Sequence, residues 1–495
     1  MKKADLILKL TNINTAFISD NYLEDIEFDV FGKILLDNEF IQFKNIIRKP
    51  LIEKELIIER QKIFQDFIKY PYLIESLLNL CEDIESHKLP KYDMIYGSIP
   101  PKQKLNSYLL LLKKNFEVYD RFYNLIREIE FSSQTLNDLI KQFSNISKVR
   151  EISNLFDSLV SYINKDSISL FIEYGNAYKL QKASVYSAGP NLIYSKKKLF
   201  GKKDYYNGKE YGYDFISKLQ VDDYIYLATL NITSFIHQLN NHIQNFSGDL
   251  SNQLVFYRSA IKIINFYKDL GVNLVYPDFN NETSIKCSNI QDATLLFKRA
   301  KNDVVGNDYY GTSDHMYLIS GVNQGGKTTF IKSLGLSLIF AQSGLPICAK
   351  EANLPIINSF ISHFPKGEDN RLNSGKLEEE LLRFKTNLKK INEKSLILMN
   401  ESFATTSDVE GADIAYDLLR AMSIKKPFVF FVTHNYYLLK NINEYANNFH
   451  NSIKIKSLIT VKDEKVEGRT YKIIEGTPQE EIETIEFLKS RFISN

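Results

Sequence analysis

The sequence predicts an α + α/β multidomain protein, in which a helical N-terminal region is followed by a C-terminal phosphate-loop (P-loop) α/β domain. Three observations carry that prediction. Apolar residues recur at helical spacing through most of the chain as far as Gly271. From Met316 to Ile474 short apolar strands alternate with helical stretches, the pattern of a mostly parallel sheet with covering helices. At the first of those strands stands Gly321-Val322-Asn323-Gln324-Gly325-Gly326-Lys327-Thr328: a glycine, four residues, then Gly-Lys-Thr, set between the apolar run Met316–Ile319 and the helical stretch Thr329–Gln342.

The elements follow in order. Residues 1 to 25 have weak periodicity. Asp29 to Tyr70 is helical in pattern, with Pro50 opening a new element, and Tyr72 to Ile84 follows as a short helix. His87 to Gln103, with Pro90, Pro100 and Pro101, reads as a connector. Leu105 to Ile163 reads as long helices broken near Ser132-Ser133 and Asn145–Ser147, and the stripe Leu109, Leu112, Phe116, Tyr119, Phe122, Leu125 suits antiparallel packing. At Ile168–Tyr213 the helical period is lost and Lys and Tyr accumulate. Asp223 to Gly271 returns to long helix with a pause expected at Ser247-Gly248-Asp249. Val272–Asn307 mixes short strands and loops. Strands are then expected at Ile356–Phe364, Leu396–Met399, Phe428–Val432, Ile453–Val461 and Tyr471–Ile474, the last two as a hairpin around Asp463-Glu464-Lys465. The domain expectation is a helical segment at 1–100, lever helices at 101–275 with an irregular basic insert at about 168–213, and the P-loop domain at 276–495.

Bulk composition narrows the class. A chain of 495 residues is too long for one core. A net charge of +2 excludes a protein that is basic all over, so any nucleic-acid contact must be a local patch. Cys81, Cys287 and Cys348 lie far apart in no metal spacing, which suits a reducing cytoplasmic setting. The run Leu6–Leu10, broken by Lys9, is too short for a signal peptide, and no run is long enough to span a bilayer.

The P-loop residues have a direct chemistry. Glycines let successive backbone N–H groups turn inward at a phosphate, and the following helix N-terminus adds partial positive charge. Lys327 supplies a full charge for β- and γ-phosphates, and the Thr328 hydroxyl is placed to hold Mg²⁺. The candidate ATP-binding residues are Gly321, Asn323, Gln324, Gly325, Gly326, Lys327, Thr328 and Thr329. The strand Leu396–Met399 ends in Asn400-Glu401. In P-loop enzymes such a strand ends beside the phosphates, the penultimate residue facing Mg²⁺ and the next carboxylate orienting water. Asn400 can face the metal only as a neutral amide, so Mg²⁺ binding is expected to be weak, and Glu401 is the candidate catalytic carboxylate. Phe428–Val432 continues into Thr433-His434, a second strand end where a His could hydrogen-bond a γ-phosphate or the attacking water. Thr405-Thr406-Ser407-Asp408-Val409-Glu410-Gly411 either follows the Glu401 loop toward a second site or simply caps the next helix.

Together these residues resemble the ATPase module of the MutS mismatch-repair family. The P-loop through Phe330, Leu398-Met399-Asn400-Glu401, Thr405-Thr406-Ser407 with Glu410-Gly411, Val432-Thr433-His434, and the stretch Gly344–Ala349 stand in family order, covering about 303–445. A weaker likeness extends to Asn38–Leu80, where Lys49-Pro50-Leu51 and Glu59-Arg60-Gln61 look like the family's helical core domain. The resemblance implies an ABC-type ATPase fold, ATP and Mg²⁺, Glu401 as catalytic carboxylate and His434 as phosphate sensor. It also implies a dimer formed through the ATPase domain, each site borrowing a signature Ser from its partner, and levers closing on DNA. That signature falls at Ser374-Gly375-Lys376, where the residues that follow depart from the family pattern; a helix N-cap is the other reading of Ser374. The family's mismatch-reading and connector modules are not expected here, because only about thirty residues precede the core-like stretch. The Lys179–Lys209 insert is the candidate DNA contact. The expectation is a weak ATPase and homodimer acting as a nucleotide-gated clamp in DNA repair or recombination, without mismatch reading. The alternative is a nucleotide-switched scaffold that binds a protein and hydrolyses little.

Overall fold

The structure, a computed structural model, describes residues 13–87, 101–147, 168–174, 180–188, 215–280, 283–299, 303–365, 376–404, 406–450, 453–462 and 469–477. These residues fall into two compact units, one within Tyr72–Leu254 and one within Ile7–Pro71 and Val255–Asn495.

The first unit holds helices Tyr72–Ser86, Pro101–Ile126 and Gln134–Ser147, with the long helix Phe215–Asp269 as far as Leu254. The predicted stripe is its core. Leu112 and Phe122 are buried, and Phe122 stacks on Phe143 with ring centroids 5.0 Å apart. A buried polar chain crosses it: Asn115 Nδ2 donates to Asn240 Oδ1 at 3.2 Å and Asn240 Nδ2 to the Tyr108 carbonyl at 3.0 Å. The expected pause at Ser247-Gly248-Asp249 is absent, and the helix Phe215–Asp269 runs through it unbroken. Packing explains why. Ser247 is buried and its hydroxyl donates to the Cys81 carbonyl at 3.2 Å, so a residue with poor helix propensity is held in place by the helix Tyr72–Ser86. The insert expected to be irregular also differs. Ile168–Tyr174 and Leu180–Ala188 form an antiparallel strand pair. Ile168, Leu170, Ile172 and Tyr174 alternate at period two, a strand signal hidden by the abundance of Lys and Tyr nearby. Residues 189–214, with most of the candidate DNA-contact lysines, lie outside the described residues.

The second unit is built on a seven-stranded sheet in the spatial order Phe17–Ile18, Ser359–His363, Ser395–Asn400, Phe428–Val432, His315–Ser320, Lys454–Lys462, Arg469–Glu475. Every neighbouring pair is parallel except the last, which is the expected antiparallel hairpin. Period-two alternation sorts the strand side chains to two faces. Met316, Leu318, Ile397, Met399, Val429 and Phe431 pack under helices Asp408–Ser423 and Tyr436–Ala446. On the opposite face Tyr317 stacks on Phe430 at 5.1 Å, with Phe330 from the helix Lys327–Gln342 edge-on to the same ring. The short strand Phe17–Ile18 completes the edge of this sheet from a region whose sequence showed little pattern.

Helices Asp37–Ile47 and Lys54–Lys69 pack in this unit with Val255–Asp269 through an aromatic cluster, Phe43 on Phe256 at 5.6 Å and Phe64 on Tyr257 at 4.7 Å. At its margin the buried Glu39 takes hydrogen bonds from Lys262 Nζ, 2.9 Å to each oxygen, an ion pair from Arg258 at 3.0 Å, and the Leu36 N–H at 3.3 Å. Removing that carboxylate leaves two cations facing each other and a helix N-terminus uncapped. Both cations keep partial access to water, so Glu39→Ala is expected to lower the unfolding free energy by about 2 kcal/mol, read by urea denaturation. Unchanged stability would mean that Lys262 and Arg258 are fully hydrated without it.

Candidate functional site

Strand register brings the site together. Asn400 lies opposite Val432, and Val432 opposite Ile319, so three chains leave the same edge of the sheet side by side. From the His315–Ser320 strand comes the loop Gly321–Gly326, from Ser395–Asn400 comes Glu401, and from Phe428–Val432 come Thr433 and His434. Two cross-strand bonds fix the exits: Glu401 N donates to the Val432 carbonyl at 2.8 Å, and Thr433 N to the Ile319 carbonyl at 3.1 Å.

The loop has the backbone a cradle needs. Gly321 has φ +120° and Gly326, the residue before the helix Lys327–Gln342, has φ +95°, both in the region that favours glycine. The loop is also crowded. A Cβ at Gly321 would come 2.3 Å from Thr460 Oγ1, and one at Gly325 would come 2.9 Å from the Val322 carbonyl oxygen. The buried hydroxyls of Ser320 and Thr460, which border this loop, have no hydrogen-bond partner among the described residues. Lys327 is buried, and its ammonium donates to the carbonyls of Gly321 at 2.7 Å and Val322 at 2.9 Å. The ammonium therefore rests over the same loop whose N–H groups would receive a phosphate. Thr328 Oγ1 donates to Asn400 Oδ1 at 2.7 Å.

A cavity of about 330 Å³ opens on this cradle. Asn323, Gln324, Gly325, Gly326, Lys327, Thr328, Thr329 and Glu401 line it. Its other wall is formed by residues between Ile290 and Arg299, by Asp303, Val305 and Asn307, and by Tyr471. Gly321, Asn400 and His434 do not line the cavity. They reach it through a neighbour: Gly321 through Lys327, Asn400 through Thr328, and His434 through Glu401, whose Oε1 lies 3.9 Å from His434 Nε2. Ser374 lies outside the described residues, so its candidate role has no geometry here. Ser407 is an N-cap in the structure, accepting from Glu410 N at 3.3 Å at the start of Asp408–Ser423. Tyr471 and Asn307 were not legible as site residues. Asn307 ties together the two parts of that wall, its Oδ1 accepting from Ile473 N at 2.8 Å and its Nδ2 donating to the Tyr471 carbonyl at 3.3 Å.

These donors suit a nucleoside triphosphate with Mg²⁺: turned glycines, one lysine, and a hydroxyl beside a side-chain oxygen. Among the described residues no group of three or more His, Cys, Asp or Glu side chains could bind a metal unaided. A cation held here would therefore depend on Thr328, Asn400 and the phosphates themselves, the usual manner of Mg²⁺ in such sites.

The loop that carries Glu401 is strained and held from outside. Glu401 has φ +46° and Phe403 φ +65°, conformations that cost about 1–3 kcal/mol each for residues with a side chain. Phe403 N donates to Glu380 Oε2 at 2.9 Å, and the Phe403 ring stacks on His363 at 5.3 Å. His363 Nε2 lies 3.3 Å from the Glu380 carbonyl, which can only accept, so Nε2 carries the proton. The Ser402 hydroxyl lies 2.7 Å from Nδ1 and 3.0 Å from the His363 carbonyl, and its one proton is shared between these two acceptors. Ser402 and His363 have the contact of a nucleophile and its base, but both are buried and the imidazole is committed on both sides, so they act as a brace. Burial, with Arg383 adding to it, pushes the His363 pKa down to about 4.

That depression makes the brace sensitive to acid. Unfolded His titrates near 6.5, and a base whose folded pKa is lower contributes stability that is complete above about pH 6.5 and is lost as pH falls toward 4. The loss should be on the order of 3 kcal/mol for the native chain relative to His363→Asn, measured as the difference in urea unfolding between pH 7 and pH 4. Parallel pH dependences for the two proteins would show that His363 titrates freely.

Among the described residues no helix is long and apolar enough to cross a membrane. Residues 317–482, which span the cradle, Asn400, Glu401, His434 and the hairpin, match MutS domain V. DNA mismatch repair protein MSH3 of Candida albicans is 26% identical over 255 residues, 47% of this chain and 24% of that protein. Endonuclease MutS2 of Streptococcus sanguinis is 21% identical over 403 residues, 77% of this chain and 48% of that protein. DNA mismatch repair protein MutS of Clostridium tetani is 23% identical over 470 residues, 84% of this chain and 51% of that protein. The chain thus spans from about a quarter to about half the length of these relatives. The cradle, the Asn400-Glu401 strand end and His434 all lie inside the stretch that matches MutS domain V, and over the lengths given the chain is similar to proteins of the MutS family.

Proposed function

We propose that this chain binds ATP with Mg²⁺ in the cavity above Lys327, hydrolyses it slowly, and uses the nucleotide state to gate a grip on DNA in repair or recombination. The observation that carries this reading is the 2.7 Å contact of Thr328 with Asn400, which sets the end of the Ser395–Asn400 strand against the first turn of the P-loop helix. Backbone N–H groups of Gly326 and Lys327 would hold phosphate oxygens, the Gly325 N–H bracing the loop on the Val322 carbonyl at 3.0 Å, and the Lys327 ammonium would turn from the Gly321 and Val322 carbonyls to the β- and γ-phosphates. Thr328 and Asn400 would hold Mg²⁺, which when bound draws charge off the phosphate oxygens. Glu401, a carboxylate lining the cavity, would orient the attacking water and accept its proton. His434, 3.9 Å from Glu401, would steady that water or the γ-phosphate. The neutral Asn400 lacks the charge that usually grips the metal in this place. It is the observation that favours the second reading, a nucleotide-switched scaffold for a protein partner with little turnover.

On this reading Ser374 reaches a second copy's nucleotide, the pair forming a homodimer through the ATPase domains, and the lysines between Lys179 and Lys209 contact DNA phosphates. No described residue is assigned to reading a mispair. The relatives' names place MSH3 and MutS in DNA mismatch repair and call MutS2 an endonuclease; the match supports a DNA-linked role and leaves the particular task to experiment.

Single-turnover hydrolysis tests the core of the proposal. Glu401→Gln should lose about 100-fold or more in rate while still binding ATP, the loss expected of a missing general base. Asn400→Asp should tighten Mg²⁺ in the nucleotide complex by about tenfold, since an added charge beside the metal contributes roughly 1 kcal/mol or more. Equal rates for native and Glu401→Gln would remove Glu401 from the chemistry, and an unmoved Mg²⁺ titration would take Asn400 off the metal. For DNA, a gel shift on branched and linear duplexes at rising salt should show affinity falling steeply, with a shallower slope after Lys196, Lys197 and Lys198 are replaced by Ala. A native chain that retards no DNA at low salt would favour the scaffold reading.

A further inference from the structure

The helix Lys376–Leu388 turns the wrong residue inward. Leu381 and Leu382 are exposed, while Glu380 beside them is 5% exposed. Apolar burial alone would rotate the helix the other way. Glu380 shares its inward face with Phe384, one helical turn on, which packs in the core beneath the sheet. The carboxylate has a specific task there: Oε2 accepts the N–H of Phe403 at 2.9 Å. Phe403 is two residues from Glu401 in a turn where both adopt left-handed backbone. No local hydrogen bond of the turn makes this contact, since Glu401 N goes to the Val432 carbonyl and Phe403 N goes to a different element.

We infer that Glu380 is a positioning residue for Glu401: by holding the Phe403 amide it fixes the strained turn that aims the Glu401 carboxylate into the cavity above Lys327. The inference rests on the reading of that cavity as the ATP site and names a determinant of turnover in it. Glu380 does not line the cavity, and it acts through the backbone of Phe403. The Ser402–His363 contact braces the same turn from the Ser359–His363 strand, so the turn is gripped from a helix and from a strand at once. An acceptor is all that the Phe403 N–H requires, so the function of position 380 should survive loss of charge and fail with loss of the oxygen.

The test uses the full chain, ATP with Mg²⁺, and a fluorescent ATP analogue for affinity. Glu380→Ala should slow single-turnover hydrolysis by about 10–100-fold, the penalty for a slightly misplaced catalytic group, with analogue affinity held within about threefold. Glu380→Gln, whose amide oxygen can still accept, should stay within about threefold of the native rate. Hydrogen exchange across residues 400–404 should quicken in the Ala variant and stay slow in the Gln variant. Native-rate hydrolysis by Glu380→Ala overturns the inference, as does an equal loss in both variants. If the native chain binds no ATP, or Glu401→Gln hydrolyses at the native rate, the ATP-site reading fails and the effect on turnover fails with it. The exchange arm distinguishes that case, because unchanged exchange in Glu380→Ala would overturn the hold on Phe403 whatever the ligand.

Discussion

The structure around the cavity depends on strand register. Had the Ser395–Asn400 strand slipped by one residue against Phe428–Val432, its alternate side chains would exchange faces. Met399 would leave the core under the Asp408–Ser423 helix, and Asn400 would no longer meet Thr328. The apolar residues of the three central strands therefore do two things with one alignment. They bury Met316, Leu318, Ile397, Met399, Val429 and Phe431 on one face, and they bring Gly321, Glu401 and His434 out at a common edge. The chemistry is placed by residues that take no part in it.

Much of this was legible because the signals were local. The P-loop spacing, the strand ends at Asn400-Glu401 and Val432-Thr433-His434, and the closing hairpin all lie in short stretches whose periodicity declares the element. What escaped the sequence depends on contacts between distant segments. Phe17–Ile18 becomes a strand because the Ser359–His363 edge is there to pair with it. Ser247-Gly248-Asp249 stays helical because the Cys81 carbonyl meets the Ser247 hydroxyl. Tyr471 reaches the cavity only because the hairpin folds back beside Asn307. The brace at His363 had a usable signal, an apolar strand closing in His as at His434. Strand position separates the two. His363 stands on a strand separated from the P-loop strand by two others and faces a covering helix, whereas His434 follows the strand next to it.

Propensity and pattern fail together at the turn Glu401–Phe403, and the failure has a physical meaning. Two side-chain-bearing residues at positive φ, a buried carboxylate at Glu380 and a buried neutral imidazole at His363 are each unfavourable alone. In combination they satisfy one another: the carboxylate takes the amide that the turn leaves unpaired, and the imidazole takes the Ser402 hydroxyl. A sequence under pressure only for stability would close this strand end with glycine and leave leucine at 380. The arrangement instead keeps a carboxylate-bearing residue at the exit of the strand and spends buried polar contacts on its direction.

Asn400 then marks where this chain diverges in chemistry while keeping its geometry. An amide oxygen accepts the Thr328 hydroxyl as a carboxylate would, so the architecture of the strand end does not register the loss of charge. The loss would be felt only by a divalent cation, whose binding there falls with the missing Coulomb attraction, and by the rate of any step that needs the cation held tightly. Geometry for hydrolysis and charge for hydrolysis are therefore separable at this site. On the proposed reading, a protein that keeps the first and weakens the second would hold its nucleotide longer than it turns it over, which is the behaviour of a timer or switch more than that of a motor.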